Sequence, residues 1–347
     1  MIQNITYIGE KPAPNNHAGN KARVDVDAIL RVKYGEPYED LEEIAFNGFC
    51  QKIGYLLKPF NLMQIWSIRQ LHSQKVIMQY PFYFNIILKK VLRDSLRKNK
   101  VILLIHDVNS LRSFNDVDIK TEIDDMNLAK AVIVHNDIMG RALQKLGLKV
   151  PWFSLYLFDY LLSDIPQRTF FKGTTVAFAG NLGKSKFLCN VEMETLGLHF
   201  NLYGPGFKKE EIKWNNVSYI GSFPPDEVPF KLEGNFGLIW DGTEIRTCDG
   251  PTGTYMKYNN PHKLSLYIAA GLPVIVWKQA AIAEFVIKHS IGIAVEMLTD
   301  VSERIKSLPD SEYNEMIKAV KKLQKQIVNG SFTKRCLETV EEQVYRL

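Results

Sequence analysis

The chain has 347 residues, 46% of them hydrophobic and 23% charged, with a formal net charge of +5, the balance of a soluble globular protein of about two domains. That charge is too small to imply nucleic acid by itself, and no apolar run approaches the roughly 18 residues of a membrane span. The four cysteines, Cys50, Cys189, Cys248 and Cys336, are too scattered for a zinc site and fit a reducing cytosol.

Residues 5–9 read as a first strand rather than the apolar core of a signal peptide. Residues 10–20 form a loop rich in Pro, Asn and Gly, and 22–32 a helix. Short apolar runs at 76–79 and 101–105 follow, the second ending at His106-Asp107. Residues 131–135 are another strand, and Asn136 starts a helix over 137–146 that stops at Gly147. This alternation is that of a parallel α/β sheet. Residues 151–172 are aromatic, contain Pro151 and Pro166, and read as the connection between domains. The alternation then restarts with strand 174–179, helix 187–196, and strands 199–203, 217–220 and 236–240. Helix 261–270, strand 274–277 and helix 282–289 come next. Residues 300–330 are helical with a break near Pro309, and 333–346 form a last helix. Two doubly wound halves fit this pattern better than one long sheet.

The glycine motifs exclude two large classes. A P-loop would need glycine at Phe178, five positions before Gly183-Lys184-Ser185. A dinucleotide fingerprint on Gly204-Pro205-Gly206 would need glycine at Lys209. The stretch Gly180-Asn181-Leu182-Gly183-Lys184 still follows a strand, where ligands of open α/β sheets bind. Its glycines admit a ligand to the backbone and Lys184 can neutralise phosphate; a plain turn with solvated lysines is the alternative. Tyr203-Gly204, Gly221-Ser222-Phe223 and Trp240-Asp241-Gly242 also close apolar runs. An aromatic there can stack a base and Asp241 can accept from hydroxyls, although each group also suits a simple turn. Residues 242–259 lack periodicity and read as a lid.

The densest signal is Asn259-Asn260-Pro261-His262-Lys263-Leu264-Ser265, continuing to Gly271-Leu272-Pro273-Val274. Asn260 reads as the cap, Pro261 as the first helical residue and Gly271 as the left-handed stop. A cation in a first helical turn is mildly unfavourable, so His262 and Lys263 make sense beneath an anion such as a diphosphate. A solvated lysine on an exposed helix end is the other reading.

This stretch resembles the nucleotide-sugar helix of GT-B glycosyltransferases, and in particular the bacterial β-1,6-galactofuranosyltransferase and adhesin glucosyltransferase group. Ala18-Gly19-Asn20-Lys21-Ala22, His106-Asp107, residues 131–136, Leu157-Phe158-Asp159-Tyr160 and Ile239-Trp240-Asp241-Gly242 agree with it. The resemblance implies an α/β fold of two Rossmann-like, doubly wound domains facing a cleft. Residues 1–155, joined by the last helix at 333–347, would be the acceptor side, and 170–330 would bind the nucleotide sugar. It implies donor contacts from Gly180, Asn181, Lys184, Tyr203, Gly204, Asp241, Asn260, His262 and Lys263. His17, Gly19, Asn20 and His106 would lie on the acceptor side, and Asp107 is the candidate base if the reaction inverts.

The Glu-x7-Glu motif of many retaining relatives is missing. Asp25-Val26-Asp27 and Asp116-Val117-Asp118 match a DxD motif only in letters, so the expected enzyme uses no metal and no cofactor. It would move a galactofuranosyl, galactosyl or glucosyl group from a UDP-sugar to a glycan, glycolipid or glycoprotein hydroxyl, in the cytoplasm or at the inner face of the membrane. A sugar-nucleotide epimerase on this fold, or a non-catalytic UDP-sugar-binding partner subunit, are the alternatives. A homo-oligomer fits equally. Residues 89–100 carry six basic residues, and apolar residues 88, 92 and 96 share one face, a pattern compatible with peripheral docking on anionic lipid.

Overall fold

Two six-stranded parallel sheets account for the alternation in the computed structural model, which describes residues 5–11, 20–42, 59–84, 86–112 and 118–345. The first unit comprises Met1–Asn15, Ala22–Leu155 and Thr333–Leu347, and the second Asn16–Lys21 and Tyr156–Phe332.

In the first unit the elements are β1 (Ile5–Lys11), α1 (Lys21–Tyr34), β2 (Glu39–Glu42), α2 (Pro59–Gln70), β3 (Lys75–Tyr80), α3 (Ile86–Lys98), β4 (Lys100–Ile105), α4 (Ile119–Met126), β5 (Ala131–Val134), α5 (Asp137–Lys145) and β6 (Trp152–Ser154). The strand order is β2-β1-β3-β4-β5-β6. The central strands are buried on both faces, which is why they read as unbroken apolar runs. Two edge strands carry no such run. Strand β2 is Glu-Asp-Leu-Glu, with Leu41 fully buried, and β6 lies inside the stretch expected to be a connection. Asn136 caps α5 as expected, its side chain accepting the Met139 N–H at 2.9 Å.

The second unit runs β7 (Thr175–Ala179), β8 (His199–Tyr203), β9 (Val217–Gly221), α6 (Val228–Lys231), β10 (Phe236–Ile239), α7 (Gly250–Tyr255), α8 (His262–Ala269), β11 (Val274–Trp277), α9 (Ala283–Lys288), β12 (Gly292–Val295), α10 (Val301–Ser307) and α11 (Asp310–Ile327), in the order β12-β11-β10-β7-β8-β9. The final helix α12 (Ser331–Tyr345) belongs from Thr333 onward to the first unit. The helix expected over 187–196 is instead two 3-10 turns, Lys186–Cys189 and Val191–Leu196. Asn190 separates them because its side chain takes the Glu192 N–H at 2.9 Å and restarts the winding.

Helix α8 is fixed on every side. Tyr267 lies flat against Gly237, where an added Cβ would sit 2.3 Å from the ring, and its hydroxyl accepts the Ala179 N–H at 2.9 Å. Ser265 donates to the Phe158 carbonyl and Gln324 of α11 to the Ala269 carbonyl. The first turn of α8 is therefore held in register with the ends of β7 and β10.

Candidate functional site

Strands β7, β8 and β9 step outward in one direction, and β10 returns to the other flank of β7. The chain thus reverses direction between β7 and β10, and open α/β sheets bind ligands outside the carboxyl ends of the strands at such a point. Gly180 follows β7 there, and Trp240-Asp241 follows β10. Lys263, from α8, reaches into the same place. Its Nζ is 3.4 Å from the Trp240 carbonyl oxygen and 4.5 Å from the centre of the Phe178 ring. A Cβ on Gly180 would lie 3.0 Å from Lys263 Cε, so glycine makes room for the lysine. Burial pushes the Lys263 ammonium below the usual lysine range, and the charge of Asp241 opposes that shift.

The surrounding turns are tightly interlocked. Gly204 has φ +125°, and a Cβ there would stand 1.9 Å from the Gly180 carbonyl oxygen. Gly206, at φ +83°, backs onto the Gly183 N–H, and Asn181 Oδ1 accepts the Lys184 N–H at 3.2 Å. Lys184 is exposed, whereas Lys186 is paired with Glu211 at 3.2 Å. Asp241 accepts the Gly242 N–H and the Thr252 hydroxyl at 2.9 and 3.0 Å.

Several expectations are corrected here. Tyr203 does not lie open beside a nucleoside. The pleat of β8 turns its ring into the core, where it is 1% exposed and its hydroxyl accepts the Glu233 N–H. Asn260 does not cap α8. Its side chain donates to the Tyr156 carbonyl at 2.7 Å, and the helix begins at His262 with Pro261 as its cap residue. Residues 242–259 are not a structureless lid. Asp249 ties the turn by accepting the Thr243 N–H and hydroxyl at 2.6 and 2.7 Å, and α7 follows. His262 stacks on Tyr160 with centroids 5.1 Å apart, and its Nε2 is fully buried with no hydrogen-bond partner. A pair of aromatics near the Gly204 turn had no local signal in the sequence: half-buried Phe207 and exposed Tyr219 stack at 4.4 Å, and the Tyr219 hydroxyl donates to the Gly204 carbonyl.

In the first unit the reversal lies between β1 and β3. Arg23 bridges it, donating to the Glu10 carboxylate and, at 2.7 Å, to the Pro81 carbonyl. Neither Glu10 nor Arg23 was expected, because a buried pair formed across residues 10 and 23 leaves no local pattern. His106 Nε2 lies 2.6 Å from Gln79 Oε1, and Asp107 is ion-paired with Arg112 at 2.7 Å. His17 and Gly19 fall outside the described residues, and Asn20 groups with the second unit. Leu88, Leu92 and Leu96 are 4%, 1% and 0% exposed, so this face of α3 serves the core and is unavailable to lipid.

Among the described residues no group of three or more His, Cys, Asp or Glu side chains is placed to hold a metal ion. Asp27 instead accepts the Glu10 N–H at 3.2 Å, and Asp116 lies outside the described residues. No described helix is long and apolar enough to cross a membrane.

Burial lowers the pKa of His135, beneath the His106-Asp107 turn, to about 4, against a partial raise from its hydrogen bonds to the His106 and Ile105 backbone. Its ordinary value is near 6.5. Above 6.5 the ring is neutral folded or unfolded. Between 6.5 and about 4 only the unfolded chain takes up the proton, so stability falls as pH falls. We expect a loss on the order of 3 kcal/mol from this residue between pH 7 and pH 4. Thermal midpoints of wild type and His135→Gln across that range check it, and parallel curves would refute the assignment.

The chain matches the description "Glucosyltransferase 3-like, N-terminal domain" over residues 65–157 and "Glucosyltransferase 3-like, C-terminal domain" over residues 176–340. It is 35% identical to the β-1,6-galactofuranosyltransferase WbbI of Escherichia coli K12, over 71% of this chain and 72% of that protein. It is 31% identical to glucosyltransferase 3 of Streptococcus gordonii, over 69% and 70%. In fold it is similar to the lipopolysaccharide outer core galactosyltransferase WaaB, with a TM-score of 0.58 at 10% identity over 98% of this chain and 99% of WaaB. TarM gives a TM-score of 0.52 at 16% identity over 79% of this chain, which spans only 56% of TarM. The two parallel sheets are thus the two halves of a GT-B fold, and the chain belongs to the glucosyltransferase 3-like family of glycosyltransferases.

Proposed function

We propose that this enzyme transfers a hexose from a UDP-sugar to a hydroxyl of a glycan, glycolipid or glycoprotein acceptor in bacterial cell-surface glycan synthesis, without a metal. The observation that carries the proposal is Lys263, a cation held at the β7–β10 reversal where burial disfavours its charge. A diphosphate seated there would restore that charge and take the free N–H groups at the start of α8. Lys184 and the Gly180-Asn181 backbone would flank the same phosphates, with Asp241 and His262 toward ribose or sugar. As the glycosidic bond breaks, negative charge grows on the leaving diphosphate. Fixed donors in a partly dry site stabilise that charge without reorganising.

The named activities of the relatives, galactofuranosyl and glucosyl transfer, support a donor among UDP-galactofuranose, UDP-galactose and UDP-glucose. On the acceptor side Asp107 is our candidate base. Its ion pair with Arg112 at 2.7 Å fixes its direction.

Calorimetric titration of the purified chain with UDP in EDTA tests this reading. Binding in the micromolar range, followed by turnover of one of the three UDP-sugars, is the expected result. A folded protein that binds no UDP would overturn the proposal.

A further inference from the structure

Lys21 is a buried lysine with an unusual set of neighbours. It is 8% exposed, and it groups with the second unit although the helix it opens continues into the first. Its Nζ donates to the Leu161 carbonyl at 3.0 Å and pairs with Asp226 at 2.6 Å. The same ammonium lies 5.2 Å from the centre of the Tyr160 ring. Tyr160 is itself pinned, its hydroxyl donating to the Pro225 carbonyl at 2.5 Å. The other side of the assembly is His262, stacked on Tyr160 at 5.1 Å with 20° between the planes, and met edge-on by Phe158 at 6.4 Å.

The imidazole is thereby fixed in one orientation and one tautomer. It bonds to the backbone of Asp159, and Nε2 has no partner, so Nδ1 carries the proton and gives it to the Asp159 carbonyl. Nε2 then holds a buried lone pair with nothing to accept. Of the charges around the ring, Lys21 is the one that lowers its proton affinity. Asp226 is occupied by Lys21, the Asp159 carboxylate is bonded to the Phe332 N–H at 3.2 Å, and the Lys263 ammonium points away to the Trp240 carbonyl. Burial, with the Lys21 charge adding to it, takes the His262 pKa down to about 4.

We infer that Lys21 is a positioning residue for His262: held by Leu161, Asp226 and the Tyr160 face, it fixes the stack that presents Nε2 as a neutral acceptor for a hydroxyl of the donor sugar. An imidazolium could not accept that hydroxyl, and a tilted ring would aim elsewhere. This rests on the donor-site reading of α8 given above.

The test uses the full chain with 15N-labelled histidine, assigned by difference from His262→Asn. In the ligand-free wild type, His262 should be the Nδ1–H tautomer and stay neutral to below pH 5. Lys21→Met should move its titration upward. It should also raise KM for the UDP-sugar at least fivefold, with kcat changed less than twofold. Lys21→Arg should restore both. A wild-type ring protonated on Nε2 overturns the inference without any variant. So does a Lys21→Met protein with unchanged His262 titration and unchanged KM. Failure of wild type to bind UDP would end the donor-site reading separately, because tautomer and titration are read on free protein.

Discussion

Lys263→Ala is expected to lower the transfer rate about a hundredfold, the cost of removing one preorganised charge from a developing oxyanion. UDP affinity should fall at least tenfold, which is about 1.4 kcal/mol. The larger effect on rate than on binding is part of the expectation, since charge on the leaving diphosphate grows in the transition state. Stability should move the other way. The lysine in free enzyme is held beneath Gly180 against the Trp240 carbonyl and the Phe178 ring, and burial disfavours its charge. Removing it relieves that penalty and leaves a small gap beside Gly180. The thermal midpoint should therefore stay level or rise while activity collapses, the pattern of a residue kept for function at a cost in stability. Lys263→Arg should not rescue the enzyme, because the wider guanidinium meets the Gly180 backbone where even an added Cβ would lie 3.0 Å from the lysine stem. A variant that loses midpoint and activity together would mean that the lysine holds the fold and not the donor.

How much of this was legible follows from where each signal resides. Strands β4, β5 and β11 were plain because burial on both faces writes a continuous apolar run. Helix α8 was plain because its stop, Gly271 at φ +79° followed by Pro273, is local chemistry. Strand β2 was not, since a charged edge strand with one inward leucine looks like any surface turn. The site divides the same way. Gly180, Lys184 and Lys263, the proposed phosphate contacts, could be named because they sit at strand and helix ends within short motifs. Tyr203 was misjudged because its direction depends on the pleat, and one residue of register decides whether a ring faces core or solvent. Asn260 was misjudged because capping competes with a distant carbonyl, Tyr156, that no local pattern reveals. Arg23 escaped notice for the same reason, and nothing in the Ala18–Ala22 motif pointed Lys21 at Leu161, because both residues find their partners far along the chain.

Gly204→Ala should be the most damaging single methyl in the second unit. Two independent costs coincide there. At φ +125° an L side chain is strained by about 1–3 kcal/mol before any contact is considered. The new Cβ would then stand 1.9 Å from the Gly180 carbonyl oxygen, and the obstacle is backbone, which cannot rotate away. That carbonyl belongs to a turn fixed by the Gly180 N–H to Tyr203 carbonyl bond at 3.0 Å, while Gly204 itself donates to the Gly221 carbonyl at 2.8 Å. Relief requires β7 and β8 to part at their ends, so at least 3 kcal/mol and a fall in thermal midpoint of about 10 °C are expected. Donor binding should fail with it, because the same displacement carries Gly180 away from Lys263. Gly250→Ala is the control: its φ is +64° but nothing lies within 4 Å of an added Cβ, so only about 1 kcal/mol of left-handed strain remains. If the two variants unfold at the same temperature, the close approach of the two turns is wrong, and with it the placement of Gly180 over the lysine. If Gly204→Ala alone is unstable and fails to bind UDP, the interlocked glycine turns are what hold the phosphate-facing end of the sheet in place.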